Sequence, residues 1–283
     1  MIPSKFEYHR PKSVKEVIDL LSELGDDAKI LAGGHSLVPV LRLRLNDPEH
    51  LIDITGIEEL TGIRDNEKSI TIGACATHGA IANNAALQQH APVVSTGAAH
   101  VGDTQVRNFG TIGGSIAHAD PAADWPAILL AVDAKINIAH AGGTRTVDVD
   151  QFFQGLFMTA VGEEELITSI SIPKTAANRH STYVKFDQPA SRFALVGCAA
   201  AVDHANGQVN NARVAFSGVS SVPFRDVNIE KALKGAAFDM DTINRATSNI
   251  ADGKSILSDH YAAEDYRKHL AGVYARKALH ALA

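Results

Sequence analysis

The sequence predicts an α+β fold in two domains, with a boundary near residue 176. Its 283 residues are enough for more than one hydrophobic core. Before the boundary, short strand-like segments alternate with helix-like segments, whereas after it three long strand-like segments come first and helices follow. We therefore place a first domain at 1–176, with subdomains at about 1–56 and 57–176, and a second domain at 177–283.

The first subdomain is predicted to contain strands and one capped helix. In "SVKEVIDLLSEL", Ser13 can cap the helix, Glu16 follows three residues later as in a capping box, and Gly25 ends the helix. "AKILAGG" is expected to be a short strand that leads into a glycine pair, and "HLIDIT" is expected to be a further strand.

The second subdomain is predicted to mix strands with small-residue helices. "SITIGACA" is a strand, Thr77 can cap a helix in "HGAIANN", and "APVVSTGAAHV" is a buried helix. A helix is expected to begin with Asp120 as N-cap and Pro121 at its first position, which places Asp124 one turn later. "AKINIA" and "TRTVDV" predict a hairpin, and "ELITSISIP" a closing strand.

The second domain is predicted to begin with a sheet and end with a long helix. "STYVKF", "FALVGCAAAVD" and "VNNARVAFSGV" are expected to be strands, and an Asn-Gly pair in "HANGQ" joins the last two. Helices are expected near 228–234 and 241–250, and again over "AAEDYRKHLAGVYARKALHALA".

Composition excludes several classes of function. The formal net charge is −6 without a long basic block, which argues against a nucleic-acid binder. The N-terminus lacks the apolar core of a secretory signal, and the longest apolar stretch, "AILLAV", is too short to span a bilayer. Cys75 and Cys198 cannot build a disulfide framework or a Cys-ligated metal site. Both are expected to lie buried and unreactive in apolar strands, and the cytoplasm is the expected compartment.

Two glycine motifs are the strongest indication of a ligand. In Ala32–Ser36, "AGGHS", glycines let backbone N–H groups converge on an anion, while Ser36 can donate a hydrogen bond or cap the next helix. A plain strand-to-helix turn also fits this segment. Thr111–Ser115, "TIGGS", repeats the pattern, and two such motifs favour a dinucleotide, although neither matches the Rossmann fingerprint.

Polar residues near these motifs have more than one interpretation. Asp124 could accept hydrogen bonds from ribose or ribityl hydroxyls, or complement a helix dipole. For Asp120, helix capping is the favoured interpretation. His35 and His118 are expected to hydrogen-bond within loops, because a metal site on His118 and Asp120 has no evident further ligand. Arg107 is expected to order the second motif.

"AGGHSLVPVLRLRL" and "VRNFGTIGGSIAHADPAADWPA" together resemble the FAD-binding medium subunit of molybdenum hydroxylases. The resemblance runs along the whole chain, and it is nearest to the aerobic carbon monoxide dehydrogenase and xanthine dehydrogenase types. It implies a two-subdomain FAD-binding region of the vanillyl-alcohol-oxidase (PCMH) type. A C-terminal α/β domain of the CO dehydrogenase flavoprotein type would follow.

The resemblance also implies which residues surround FAD. Asp124 matches the family's flavin-site aspartate, and Lys185 matches a lysine beside the isoalloxazine. Ile167 or Thr168 would approach the flavin through backbone groups. Pro189 and Arg192 depart from the family pattern. The full expected set is Leu31, Ala32, Gly33, Gly34, His35, Ser36, Leu37, Val38, Val101, Thr111, Ile112, Gly113, Gly114, Ser115, Asp124, Ile167, Thr168 and Lys185.

The implied role is an electron relay without catalytic residues or a metal of its own. A large subunit would hold the molybdenum cofactor, and a small subunit would hold two [2Fe–2S] clusters that pass electrons to FAD in this chain. The expected assembly is a dimer of heterotrimers in the cytoplasm, at most peripheral to the membrane. Two alternatives stay open: a stand-alone FAD-dependent oxidase or reductase, and a nucleotide-binding assembly subunit without turnover.

Overall fold

The computed structural model describes residues 2–174 and 179–283, and the boundary predicted near residue 176 lies outside these residues. Three sheets and a two-stranded ribbon organise the described chain. Each sheet belongs to one of the three predicted units.

The N-terminal unit is a parallel sheet covered by a helix. Its strands are β1 (Glu7–His9), β2 (Ala28–Leu31) and β3 (His50–Asp53), in the order β1-β3-β2, and its helices are α1 (Val14–Leu24) and α2 (Leu37–Arg42). The predicted caps of α1 are confirmed, because Ser13 accepts a hydrogen bond from the N–H of Glu16 and Gly25 follows the last turn. The apolar face of α1 shares a core with β3, which fixes the sheet and the loop that follows β2.

The second unit is an antiparallel sheet with helices packed around it. Its strands are β4 (Ile63–Asp65), β5 (Ser69–Gly73), β6 (Lys135–His140), β7 (Gly143–Asp148), the ribbon β8 (Phe153–Gly155) and β9 (Met158–Thr159), and β10 (Leu166–Pro173). The sheet order is β4-β5-β10-β6-β7. Its helices are α3 (His78–Ala82), α4 (Ala85–His90), α5 (Pro92–His100), α6 (Thr104–Phe109), α7 (Ile112–His118), α8 (Trp125–Ala131) and α9 (Val149–Phe152).

The helix expected to begin at Asp120 begins at Trp125 instead. Asp120 accepts a hydrogen bond from the N–H of Ala122 at 2.9 Å and so forms a turn. The carbonyl of Pro121 accepts from the N–H of Gly218, and that of Ala122 from the N–H of Ala194. These bonds to the second domain hold the segment out of the helix, so the predicted cap at Asp120 was wrong, and Asp124 precedes α8 instead of lying within it.

The second domain is a four-stranded antiparallel sheet with helices on one face. It contains β11 (Arg179–Asp187), β12 (Ala194–Ala205), β13 (Gln208–Ser217), β14 (Phe224–Arg225), α10 (Val227–Leu233), α11 (Met240–Ala246) and α12 (Glu264–His280). The predicted Asn-Gly hairpin turn is confirmed: Asn206 and Gly207 both have positive φ, at 52° and 74°.

Helix α8 connects the two domains. All seven of its residues are buried. The helix belongs to a hydrophobic core that also includes Tyr183, Ala199 and Ala215 of the second-domain sheet. In the described part of the chain, no helix combines the length and the apolar character needed to cross a membrane.

Both cysteines are buried, as predicted. Burial raises the pKa of Cys75 to about 12 and raises the pKa of Cys198 still further. Only Cys198 lies in a strand, because Cys75 follows β5 in a turn where its N–H donates to the carbonyl of Leu60.

Candidate functional site

A cavity of about 620 Å³ opens where the two subdomains and the second domain meet. The loop after β2 forms one wall, the segments around α5 to α7 form another, and residues 191–193 of the second domain lie at its edge. This volume falls within the usual range of small-molecule and cofactor sites.

The first glycine motif forms the loop between β2 and α2 and needs both of its glycines. Gly34 has a φ of 74°, which other residues rarely adopt. A Cβ on Gly33 would clash with the carbonyl oxygen of Phe109. The missing side chain at Gly33 therefore lets this loop pack directly against the segment that leads to the second motif.

The loop also presents backbone donors. Within residues 2–174 and 179–283, the N–H groups of 32–36 donate to no backbone carbonyl. Ser36 stands at the N-cap position of α2, yet its side chain makes no capping hydrogen bond. Capping by Ser36, one of the two predicted roles, was thus wrong. Unpaired N–H groups and a hydroxyl beside a cavity are suited to binding an anion without lysine.

The second motif is the first turn of α7, not a loop like the first. Thr111 caps this helix by accepting from the N–H of Gly114 at 3.2 Å, and its carbonyl accepts from the N–H of Ser115. The N–H of Gly113 donates to the carbonyl of Ala74 at 2.8 Å. These N–H groups already have partners. The second motif therefore offers the cavity the Ser115 hydroxyl and a backbone that a ligand can approach closely, because its glycines have no side chains.

Most of the residues expected around FAD line this one cavity. They are Ala32, Gly33, Gly34, His35, Ser36, Leu37, Val101, Thr111, Gly113, Gly114, Ser115, Asp124 and Ile167.

Five of the expected residues lie outside the lining, namely Leu31, Val38, Ile112, Thr168 and Lys185. Ile112 is fully buried in the core. The carbonyl of Thr168 accepts from the N–H of Ala74, and its hydroxyl donates to the carbonyl of Asn137. The polar groups of Thr168 are therefore used within the sheet, and Ile167 is the member of the pair that reaches the cavity.

Asp124 is a buried carboxyl group in the cavity wall. The hydroxyl of Tyr183 donates to its Oδ1 at 2.5 Å, and the Lys185 ammonium lies 3.2 Å away. Burial raises the pKa of Asp124 to about 6, although the positive charge of Lys185 and the Tyr183 hydrogen bond both favour the charged form. Asp124 can thus accept a hydrogen bond from a ligand and change its charge near neutral pH.

Lys185 lies behind this wall and contacts three elements at once. Its side chain is 1% exposed. Its Nζ donates to Asp124, to the carbonyl of His100 at 2.8 Å and to the carbonyl of Arg192 at 2.7 Å. A lysine has three N–H donors, so none is left for a ligand in this arrangement. Lys185 therefore positions Asp124 and the loop at the cavity edge.

Sequence reasoning missed His78, which lines the cavity and is buried. The indole N–H of Trp125 donates to its Nδ1 at 3.1 Å. Burial, together with the nearby His35 and Arg107, lowers the pKa of His78 to about 3. The ring is therefore neutral with its proton on Nε2, a donor that Trp125 orients. Nothing local indicates this role, since Trp125 is 47 residues away.

Two smaller predictions concern the neighbours of the second motif. Arg107 has a structural role, but on the segment before α6 and not on the second motif, because its Nη1 donates to the carbonyls of Val101 and Gly102 at 3.0 Å. His118 packs on the ring of Phe157, and no group of three metal-ligating side chains among the described residues includes it.

Comparisons with known proteins identify the family to which both domains belong. Residues 4–175 match the family described as FAD binding domain in molybdopterin dehydrogenase, and residues 181–282 match the CO dehydrogenase flavoprotein C-terminal domain. The chain belongs to the FAD-binding medium-subunit family of molybdenum hydroxylases. It is 38% identical to the carbon monoxide dehydrogenase medium chain of Hydrogenophaga pseudoflava, over 99% of this chain and 98% of the relative.

Other similar proteins carry the names of different dehydrogenases and oxidoreductases. The glyceraldehyde dehydrogenase medium chain of Sulfolobus acidocaldarius is 34% identical over 98% of both chains. Among solved structures, a carbon monoxide dehydrogenase from Hydrogenophaga pseudoflava superposes with a TM-score of 0.97 at 40% identity, covering 100% of this chain and 98% of that one. Quinoline 2-oxidoreductase from Pseudomonas putida 86 gives 0.94 at 30% identity, covering 100% and 98%. The recognised family and the fold class are thus confirmed, and the chain is an FAD-binding component of an oxidoreductase complex.

Proposed function

We propose that this subunit relays electrons from [2Fe–2S] clusters of a small partner subunit through FAD to an external acceptor. A large partner subunit would oxidise the substrate at a molybdenum cofactor. The complex would be a dimer of heterotrimers in the cytoplasm, at most peripheral to a membrane. The observation that supports this role is the cavity, whose first glycine loop presents unpaired N–H groups next to a buried carboxyl group.

The donors of the cavity wall fit the polar parts of FAD. The N–H groups of 32–36 and the hydroxyls of Ser36 and Ser115 would hold the pyrophosphate. Asp124, which Tyr183 and Lys185 hold in place, would accept a hydrogen bond from a ribityl hydroxyl. Val101 and Ile167 give the same cavity apolar surface.

Electron transfer itself would be the chemistry of the bound flavin, and the protein would control its placement and exposure. Arg192 and Phe193 line the edge of the cavity, and both are exposed. They would therefore lie on the route by which an acceptor reaches the flavin.

The absorption spectrum of the purified chain tests cofactor binding. We expect a flavin spectrum, and FAD released on denaturation in stoichiometric amount. A chain that takes up no flavin even after FAD is added would support the assembly-subunit alternative and overturn the proposal.

Flavin reduction tests the relay. In a complex with both partners, the flavin should be reduced by the substrate of the large subunit. In the isolated FAD-loaded chain, the same substrate should leave the flavin oxidised. If the isolated chain turns over a small substrate without partners, it is a stand-alone oxidase or reductase.

A further inference from the structure

The N-terminal sheet carries a second cluster of reactive side chains, formed by Glu7, His9 and His50, none of which lines the cavity. In the parallel register, Glu7 pairs with His50. Alternate residues of a strand face the same side, so Glu7 and His9 project together and His50 joins them from β3. The fold thus brings two imidazoles and a carboxylate from separate strands to one face.

The ligand atoms of the cluster converge on one point. His9 Nε2 and His50 Nδ1 lie 3.0 Å apart, and Glu7 Oε2 lies 3.7 Å from the same His50 nitrogen. All three ligand atoms lie within 4.8 Å of one another. The imidazole rings are tilted by 46° with centroids 5.2 Å apart, so they meet through their nitrogens and are not stacked face to face.

We propose that Glu7, His9 and His50 form a zinc-binding site that joins β1 to β3. Zinc takes imidazole nitrogen and carboxylate oxygen at about 2.0–2.2 Å, so ligand atoms around a tetrahedral ion lie about 3.3 Å apart. The distances from the His50 nitrogen to His9 and to Glu7, 3.0 and 3.7 Å, lie on either side of this value. A hydrogen bond between the imidazoles accounts for their 3.0 Å contact, and an ion pair accounts for the 3.7 Å approach of Glu7 to His50 only when His50 is protonated, whereas a shared cation uses all three groups at once.

The site would anchor a weakly held element. Strand β1 has three residues, of which Glu7 and Tyr8 are exposed. It holds β3 through its backbone pairing and through the hydrogen bond from Tyr8 to Asp53 on the opposite face. Because β3 also pairs with β2, zinc at this site would stabilise the sheet from which the loop 32–36 emerges.

Zinc titration of the full-length, tag-free chain against a chromophoric chelator tests the site. We expect one zinc per chain at micromolar affinity or tighter, a higher Tm with zinc, and no comparable effect of Mg²⁺. His50→Gln and Glu7→Gln should each weaken zinc uptake by about tenfold or more, since loss of a partner outside the coordination shell already costs 10–100-fold. Because Glu7 is exposed, Glu7→Gln should leave the fold intact. This variant therefore still tests the site if His50→Gln does not fold.

His269→Gln is the matched control, because His269 is exposed and lies on α12, away from the cluster. It should bind zinc like the parent chain. The proposal is overturned if the parent takes up no zinc at micromolar concentration, or if Glu7→Gln and His50→Gln bind it like the parent. The cluster would then be a hydrogen-bonded imidazole pair only.

Discussion

Replacing Lys185 by methionine tests whether the buried charge pair positions the cavity wall. The substitution keeps the apolar part of the side chain but removes the charge and three hydrogen bonds. The pair is almost fully buried, with side-chain exposures of 1% for Lys185 and 5% for Asp124. Removing one partner of a buried pair costs about 3–5 kcal/mol because the other charge stays without compensation. We therefore expect a loss of that size in the free energy of unfolding at pH 8.

The loss should depend on pH, because Asp124 can take up a proton. Its pKa of about 6, against an ordinary 3.8, corresponds to about 3 kcal/mol. Since the folded-state pKa is raised, the folded chain binds more protons than the unfolded chain between about pH 4 and 6, and stability falls as pH rises through this window. Without Lys185, the pKa of Asp124 should rise further. The pH range over which stability falls should therefore reach to higher pH. Lys185→Met should therefore be less destabilising at pH 5 than at pH 8.

Urea unfolding at the two pH values, followed by circular dichroism, measures these differences. Lys15→Met is the matched control, because Lys15 pairs with Asp19 at 2.6 Å but is 82% exposed, and it should cost no more than about 0.5 kcal/mol. Adding Asp124→Asn to Lys185→Met should restore part of the loss. If Lys185→Met costs no more than the control, or costs the same at both pH values, the buried charge pair does not position the cavity wall.

Two further predictions concern the first glycine loop, and FAD fluorescence titration with urea unfolding checks both. Gly33→Ala should weaken FAD binding and lower the free energy of unfolding, because its Cβ would meet the carbonyl of Phe109. Gly62→Ala has no atom within 4 Å of its new Cβ and should change neither. Ser36→Ala should weaken FAD binding without changing stability, since Ser36 caps nothing; Ser13→Ala should cost about 1 kcal/mol without affecting FAD, and the opposite pattern would contradict the assignment.

Elements fixed by local interactions were predictable from sequence. Ser13 and Thr77 cap helices through backbone groups three residues away, and Asn206 and Gly207 supply the positive φ that a two-residue hairpin requires. The start of α8 was not predictable, because backbone bonds from Ala194 and Gly218 hold the segment before it. Local propensity at Asp120 was overridden by partners more than seventy residues away.

The site shows the same division between local and long-range determinants. Glycine motifs are local patterns, and residues of both motifs line the same cavity. Asp124 meets Tyr183 across 59 residues, and Lys185 meets His100 across 85. The two-residue alternation in β11 places Tyr183 and Lys185 on one face, but it cannot indicate that this face meets Asp124. The role of Lys185 thus follows from packing between the domains.

The two glycine motifs differ in structure because of the residue two positions before each pair. In the second motif this residue is Thr111, whose hydroxyl caps the helix and accepts the N–H of Gly114. In the first motif it is Leu31, which has no side-chain acceptor, so the N–H groups that follow stay free of such a bond. A glycine pair shows only that a Cβ would not fit or that the backbone has a positive φ. The neighbouring residue decides whether the backbone donors are used within the helix or stay free, and on this ground we expect the first motif to bind an anion better than the second.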